Sequence, residues 1–139
     1  MPPSPTVFLI DDDPSVRRAL ARLIKSTGYQ VQTFGSAREF LDGMPEATGT
    51  ACLVLDVRMP GLSGIDLQRE LQLTNLVLPI IFITGHGDIP TTVKAMKAGA
   101  VDFLPKPVRD ADFLRAIEQA FARAVHDRAE LDAAQDIQS

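Results

Sequence analysis

The sequence predicts an α/β fold, a doubly wound five-stranded parallel sheet in the order 2-1-3-4-5, within a chain of 139 residues. Three observations predict it. Short β-branched or aliphatic runs alternate with longer segments of helical period. The runs are nearly continuous in apolar residues, as strands covered on both faces must be. Each is followed by a helix, and right-handed crossovers then leave few topologies for five βα units. This length suits about one domain, burying roughly two-thirds of the surface its unfolded chain exposes, so no disulfide or metal is needed to hold it.

The strand candidates are residues 6–10, 30–34, 51–55, 80–83 and 101–104. In the first helix Val16, Leu20, Leu23 and Ile24 recur at helical spacing, while Arg17, Arg18, Arg22 and Lys25 take the other face and Gly28 stops it. Asp13 before Pro14 is a good helix entry, an N-cap followed by a residue with no amide to leave unpaired. A second helix is expected from Ala37 to Met44, ending near Pro45, and a third from Gly64 with Ile65, Leu67 and Leu71. A fourth spans Ile89 to Ala98 and stops at Gly99. The last starts near Asp110 and meets no breaker through Ala134, longer than the about 15 residues a sheet of this size needs. Its Ile117, Phe121, Ala124, Arg128 and Leu131 follow a 4-3-4-3 spacing, a weak heptad with Arg128 on the seam.

Composition excludes several classes. With 14 Lys+Arg against 18 Asp+Glu, the net charge is −4 and no basic run is present, a poor footing for direct nucleic-acid binding. The single cysteine, Cys52, lies in an apolar run and reads as a buried thiol. Residues 1–5 show neither the basic nor the apolar region of a secretory leader, and no apolar window reaches membrane length, so a cytoplasmic location is expected.

Ligands of such sheets bind beyond the carboxyl ends of the strands, where the winding reverses between the first and third. The residues there are Asp11-Asp12-Asp13, Asp56, Thr84-Gly85-His86-Gly87 and Pro105-Lys106-Pro107. Two unit charges about 4 Å apart repel by roughly 4 kcal/mol at an effective dielectric near 20, so Asp11, Asp12 and Asp56 cannot all ionise comfortably unaided. A hard divalent cation relieves this, and Mg²⁺ suits oxygen ligands with no paired His or Cys. Asp56 is then a candidate carboxylate nucleophile, Lys106 a charge for phosphoryl oxygens and Thr84 a hydroxyl donor, the parts that phosphoryl transfer requires. Singly, each has a duller reading: Asp13 as the N-cap, Asp56 as a turn residue before Pro60-Gly61, Lys106 as a surface lysine. His86 between glycines reads as exposed, His126 as a solvated helix residue, and Phe103 as core. Joint placement at four strand ends is what chance seldom supplies.

These motifs resemble the response-regulator receiver domain of two-component signalling, a CheY-like fold. The resemblance rests on Phe8-Leu9-Ile10-Asp11-Asp12-Asp13, Leu55-Asp56-Val57-Arg58-Met59-Pro60-Gly61, Phe82-Ile83-Thr84-Gly85-His86-Gly87-Asp88 and the run Ala98 to Pro107. The FixJ subfamily is the nearest in pattern. The resemblance implies a signalling phosphoacceptor and not a turnover enzyme: Asp56 takes a phosphoryl group from a sensor histidine kinase. Asp12 would bind Mg²⁺ directly and Asp11 through water, with Asp56 and the Arg58 carbonyl. Lys106 would pair with the phosphoryl group, ahead of a cis Lys106–Pro107 bond. Thr84 and Phe103 resemble a switch pair that remodels the face of the fourth helix, fifth strand and fifth helix, with Val93, Lys97 and Asp102 as candidates for a phosphorylation-dependent homodimer. Arg58 and His86, two beyond Asp56 and Thr84, are expected to slow dephosphorylation.

The expected organisation is a tail at 1–5, a receiver domain at 6–125, and at 126–139 a helical extension or linker to an output domain that acts in transcription regulation. A free-standing receiver working through protein contacts is the alternative. A haloacid-dehalogenase-like phosphatase also uses an aspartyl nucleophile, but Ser15 stands four beyond Asp11 and 139 residues leave no room for a cap. A nucleotide- or flavin-binding module would need a glycine-rich loop after the first strand, and none is there.

Overall fold

The computed structural model describes residues 5–43, 49–74, 78–85 and 89–138, with side chains to residue 133. Along the chain lie β1 (Thr6–Ile10), α1 (Pro14–Ser26), β2 (Gln30–Phe34), α2 (Ala37–Gly43) and β3 (Ala51–Asp56). They are followed by α3 (Gly64–Gln72), β4 (Ile80–Thr84), α4 (Ile89–Lys97), β5 (Asp102–Pro105) and α5 (Asp110–Gln138). All strand pairs are parallel, in the order β2-β1-β3-β4-β5 that the sequence predicts.

Alternation along the strands builds two cores. Phe8, Ile10, Leu53, Leu55 and Phe82 pack with Phe40, Leu67, Leu71 and Ala95 of α2, α3 and α4. Val7, Leu9, Val54, Ile81 and Ile83 face the other way, onto Leu20 and Ile24 of α1 and Phe113, Ile117 and Phe121 of α5. Successive strand side chains point to opposite faces, so a continuously apolar strand feeds both layers at once. Cys52 is buried in the second layer, and burial pushes its thiol pKa up, as for an inert core cysteine. At the sheet edge β2 leaves Gln30, Gln32 and Thr33 exposed, polar cover for a strand with a free side.

Several boundaries differ from the sequence reading. β3, β4 and β5 each end one residue later, at Asp56, Thr84 and Pro105, because the ladder continues past the apolar runs: Val57 N–H donates to Ile83 O at 3.1 Å and Lys106 N–H to Thr84 O at 2.8 Å. α4 ends at Lys97, where Gly99 at φ +100° turns the chain into β5. The expected end of α2 at Met44–Pro45 lies outside the described residues. In α5, Ile117, Phe121 and Ala124 belong to the stripe that packs on the sheet, so the heptad spacing there is core packing; Arg128 is exposed. No described helix is long and apolar enough to cross a membrane.

Candidate functional site

Strand register assembles the site. Ile10 is level with Leu55, so Asp11 and Asp56 leave neighbouring strands side by side, about 4.8 Å apart in backbone terms. Asp56 is level with Ile83 and Thr84 with Pro105, which puts Thr84 one step beyond Asp56 and Lys106 one step beyond that.

Each side chain is aimed by its local backbone. Asp13 caps α1: its Oδ1 accepts from Ser15 N–H at 2.9 Å and Val16 N–H at 3.4 Å, ahead of Pro14 in the first helical turn. This tightens the turn so that Asp11 points inward, fully buried, with its Oδ1 accepting from Asp13 N–H at 2.9 Å. Asp56, 4% exposed, accepts from Arg58 N–H at 3.3 Å on Oδ1. Lys106 Nζ lies 2.9 Å from Asp11 Oδ2 and 3.1 Å from Asp56 Oδ2. The Lys106–Pro107 peptide bond is cis.

Three carboxylates share this corner with one ammonium. Burial pushes the Asp56 pKa up to about 6; Lys106 opposes the rise by hydrogen bonding, and the charge of Asp11 adds to it. Burial works to lower the Lys106 pKa, and its two carboxylate partners outweigh it, so the ammonium is held above its ordinary value.

The oxygens fit a hard cation. Asp11, Asp12 and Asp56 each offer one within 4.8 Å of the others, and Asp12 is exposed. Asp11 Oδ2 is buried without an aligned hydrogen bond; its near polar neighbour is the ammonium at 2.9 Å, an ion pair of poor hydrogen-bond geometry. An all-oxygen set with one such acceptor suits Mg²⁺ better than a softer metal.

Of the remaining sequence candidates, Thr84 is buried at the end of β4. Phe103 is half-buried where full burial was expected, because β5 is an edge strand; its ring lies 5.8 Å from that of Phe82. Arg58 is exposed beside Asp56, whereas His86 falls outside the described residues. Val93 and Lys97 are exposed on α4, where Ile89, Val93 and Met96 form an apolar stripe at helical spacing. Asp102 is half-buried, with Oδ1 accepting from Phe103 N–H at 2.8 Å. His126 is exposed and pairs with Glu130 at 3.1 Å.

The sequence reading left the parts played by Arg17, Ser63, Asp66 and Gly64 unassigned, Gly64 entering it only as the start of the third helix. Arg17, placed there on the solvent face of α1, is half-buried and donates from Nη1 to Asp11 O at 2.7 Å. Ser63 and Asp66 form a reciprocal capping box at the start of α3, which also holds the Asp66 pKa low through the Ser63 hydrogen bonds. A Ser-x-x-Asp pattern before an apolar run would have signalled it. Gly64 packs so closely that a Cβ there would overlap Asp56 O and stand 3.0 Å from Val57 Cα.

Of the grooves among the described residues, two differ sharply in their relation to the acidic corner. One of about 680 Å³ lies between α1 and the β5–α5 turn, lined by Leu20, Leu23, Pro107 and Val108, and shares Lys106 with the acidic corner. The other, about 430 Å³ and lined by Gln68, Pro79, Gly99 and Arg123 among others, lies at the opposite end of the strands and touches none of the site residues.

Comparison with known proteins bears on the fold and the family. The family model "Response regulator receiver domain" matches residues 7–118. Nodulation protein W of Bradyrhizobium diazoefficiens is 59% identical over 118 residues, 84% of this chain and 51% of that protein. The transcriptional regulatory protein FixJ of Azorhizobium caulinodans is 44% identical over 138 residues, 99% of this chain and 64% of that protein. The solved structure of the response regulator StyR superposes with a TM-score of 0.88 at 47% identity, covering 98% of this chain and 68% of that one. The chain thus spans about half to two-thirds of the length of these relatives.

Proposed function

The chain belongs to the response-regulator receiver family, with FixJ-like relatives that are transcription regulators, and on that premise we propose that it is switched by Mg²⁺-dependent phosphorylation of Asp56. One observation carries the reading: Lys106 Nζ stands within 3.1 Å of both Asp56 and Asp11, so a single cation serves the nucleophile and the metal-binding acid together.

The chain's residues have the following parts. A carboxylate oxygen of Asp56 attacks the phosphorus of a phosphohistidine on the donor kinase. The new O–P bond forms as the P–N bond breaks, and the imidazole nitrogen leaves with the electron pair. Bound Mg²⁺ supplies charge neutralisation for the phosphoryl oxygens, held by Asp11, Asp12, Asp56 and the Arg58 carbonyl. Lys106 exchanges part of its pairing with Asp56 for a phosphoryl oxygen, and the Thr84 hydroxyl donates to another. The groove beside Lys106 is apolar and open next to the acidic corner, which suits a donor helix bearing the histidine.

The output follows from added charge. A phosphoryl group brings about −1.5 to −2 charges to the corner. Thr84 moves toward it, and the Phe103 ring, free of a hydroxyl and half-exposed, turns into the space behind. The exposed stripe of Ile89, Val93 and Met96 then supports a homodimer across α4, β5 and α5, with Lys97 and Asp102 at its rim. Arg58, and His86 by its sequence position, slow hydrolysis by limiting water at the acyl phosphate. In the longer regulators that this chain resembles, α5 would carry the change to an output domain acting in transcription.

Labelling with a small phosphodonor and Mg²⁺ tests the reading by stoichiometry. The expected result is one phosphoryl group per chain with slow decay. Continuous release of inorganic phosphate at many turnovers per chain would instead identify a phosphatase.

A further inference from the structure

The acidic loop after β1 is held from behind by a residue that touches no candidate ligand oxygen. Arg17 Nη1 donates to the main-chain carbonyl of Asp11 at 2.7 Å, six residues back along the chain. That carbonyl belongs to the peptide unit joining Asp11 to Asp12. Because the unit is planar, fixing its oxygen fixes the plane from which both acids depart. Asp11 is anchored on its other side, its N–H donating to Phe34 O at 3.2 Å, and its carboxylate is pinned by Asp13 N–H and Lys106. Asp12, exposed, makes no hydrogen bond or ion pair among the described residues. Its direction therefore depends on the peptide plane that Arg17 holds.

The guanidinium lies beside a corner that a side chain would crowd. A Cβ at Gly35 would stand 3.4 Å from Arg17 Nη1 and 3.3 Å from Glu39 Oε2, and Glu39 Oε2 accepts from Gly35 N–H at 3.0 Å. The corner between β2 and α2 thus leaves room for Arg17 without a side chain in its way. A charged donor on a neutral carbonyl makes a stronger bond than a neutral pair, and arginine keeps its charge at any working pH.

We propose that Arg17 is a positioning residue for divalent-cation binding: it orients the Asp11–Asp12 peptide so that both carboxylates meet one ion. This rests on the Mg²⁺ reading above. Two effects of Arg17 have opposite signs. As a positive charge near the site it repels a cation, so its removal would tighten binding if charge dominated. As an orienting group its removal would weaken binding, in the range of about 10- to 100-fold typical when a support of a metal ligand is lost.

Calorimetric titration of MgCl₂ into the full chain separates these, using wild type, Asp12→Asn, Arg17→Gln and Arg17→Lys. The expected result is strong loss of binding in Asp12→Asn, about a tenfold higher Kd in Arg17→Gln, and an intermediate Kd in Arg17→Lys, which keeps the charge and a donor of similar reach. Labelling of each Arg17 variant should return to the wild-type rate once Mg²⁺ is saturating. An unchanged or lower Kd in Arg17→Gln overturns the proposal. So does a labelling rate that saturating Mg²⁺ fails to restore, since that places the damage outside ion binding. Wild type that binds no Mg²⁺, with Asp12→Asn indistinguishable from it, overturns the metal reading and this role with it.

Discussion

Lys106 Nζ lies 3.1 Å from Asp56 Oδ2, a contact made across fifty residues of chain and shared with Asp11 at 2.9 Å. The ammonium balances two buried carboxylates at once, so its loss leaves both uncompensated. Lys106→Met should destabilise the metal-free protein at pH 7 by about 2 kcal/mol, the scale of a lost hydrogen bond to a charged group. Urea unfolding with a chelator measures it, and added Mg²⁺ should recover more stability in the variant than in wild type.

The Asp56 pKa of about 6 makes stability depend on pH in a definite direction. The folded carboxyl holds its proton above the pH at which the unfolded one, near 3.8, has lost it. Folded protein therefore binds more protons between about 4 and 6, and the contribution of this group to stability falls as pH rises through that window. Asp56→Asn should abolish that part of the slope and be more stable than metal-free wild type above pH 6, by on the order of 1 kcal/mol. Parallel unfolding curves from pH 4 to 8 would check it; equal pH slopes would contradict it. Protons also compete with Mg²⁺ for Asp56, so the ion should bind more weakly below pH 6.

Much of this site is legible in the sequence because parallel strands deliver their carboxyl ends to one edge. Asp11, Asp12, Asp56, Thr84 and Lys106 could be singled out from strand-end position alone. Register could not be read, and it decides that Asp11 and Asp56 are level while Lys106 stands two steps beyond. Arg17 was hidden for a different reason: helical periodicity assigns it to the polar face, and a long side chain can reach back from there to a carbonyl. Periodicity is ambiguous in α5 too, where Ile117, Phe121 and Ala124 have a spacing that serves a coiled-coil seam and a sheet-covering stripe equally.

Gly64 is where α3 meets the end of the strand that carries Asp56. Its N–H donates to Val57 O at 2.9 Å, and a methyl group there would overlap the Asp56 carbonyl oxygen. Because the obstacle is backbone, it cannot swing aside. Gly64→Ala should cost about 2 kcal/mol in unfolding free energy, in the range for overpacking, and slow labelling of Asp56 by displacing its main chain. Wild-type stability and labelling together would show that the loop yields freely.

Val93 lies at the centre of the exposed α4 stripe, 43% exposed, between Ile89 and Met96. Val93→Glu places a charge there without touching the core. It should leave stability within about 0.5 kcal/mol of wild type and leave labelling of Asp56 intact, while removing any increase in size on phosphorylation by gel filtration. Dimerisation that survives the change would move the interface elsewhere.

The central claim is that Asp56 is the phosphoacceptor, and intact mass after incubation with a small phosphodonor and Mg²⁺ tests it most directly. Wild type should carry a single phosphoryl adduct that Asp56→Asn lacks. An undiminished adduct in Asp56→Asn, or none in wild type, would contradict it.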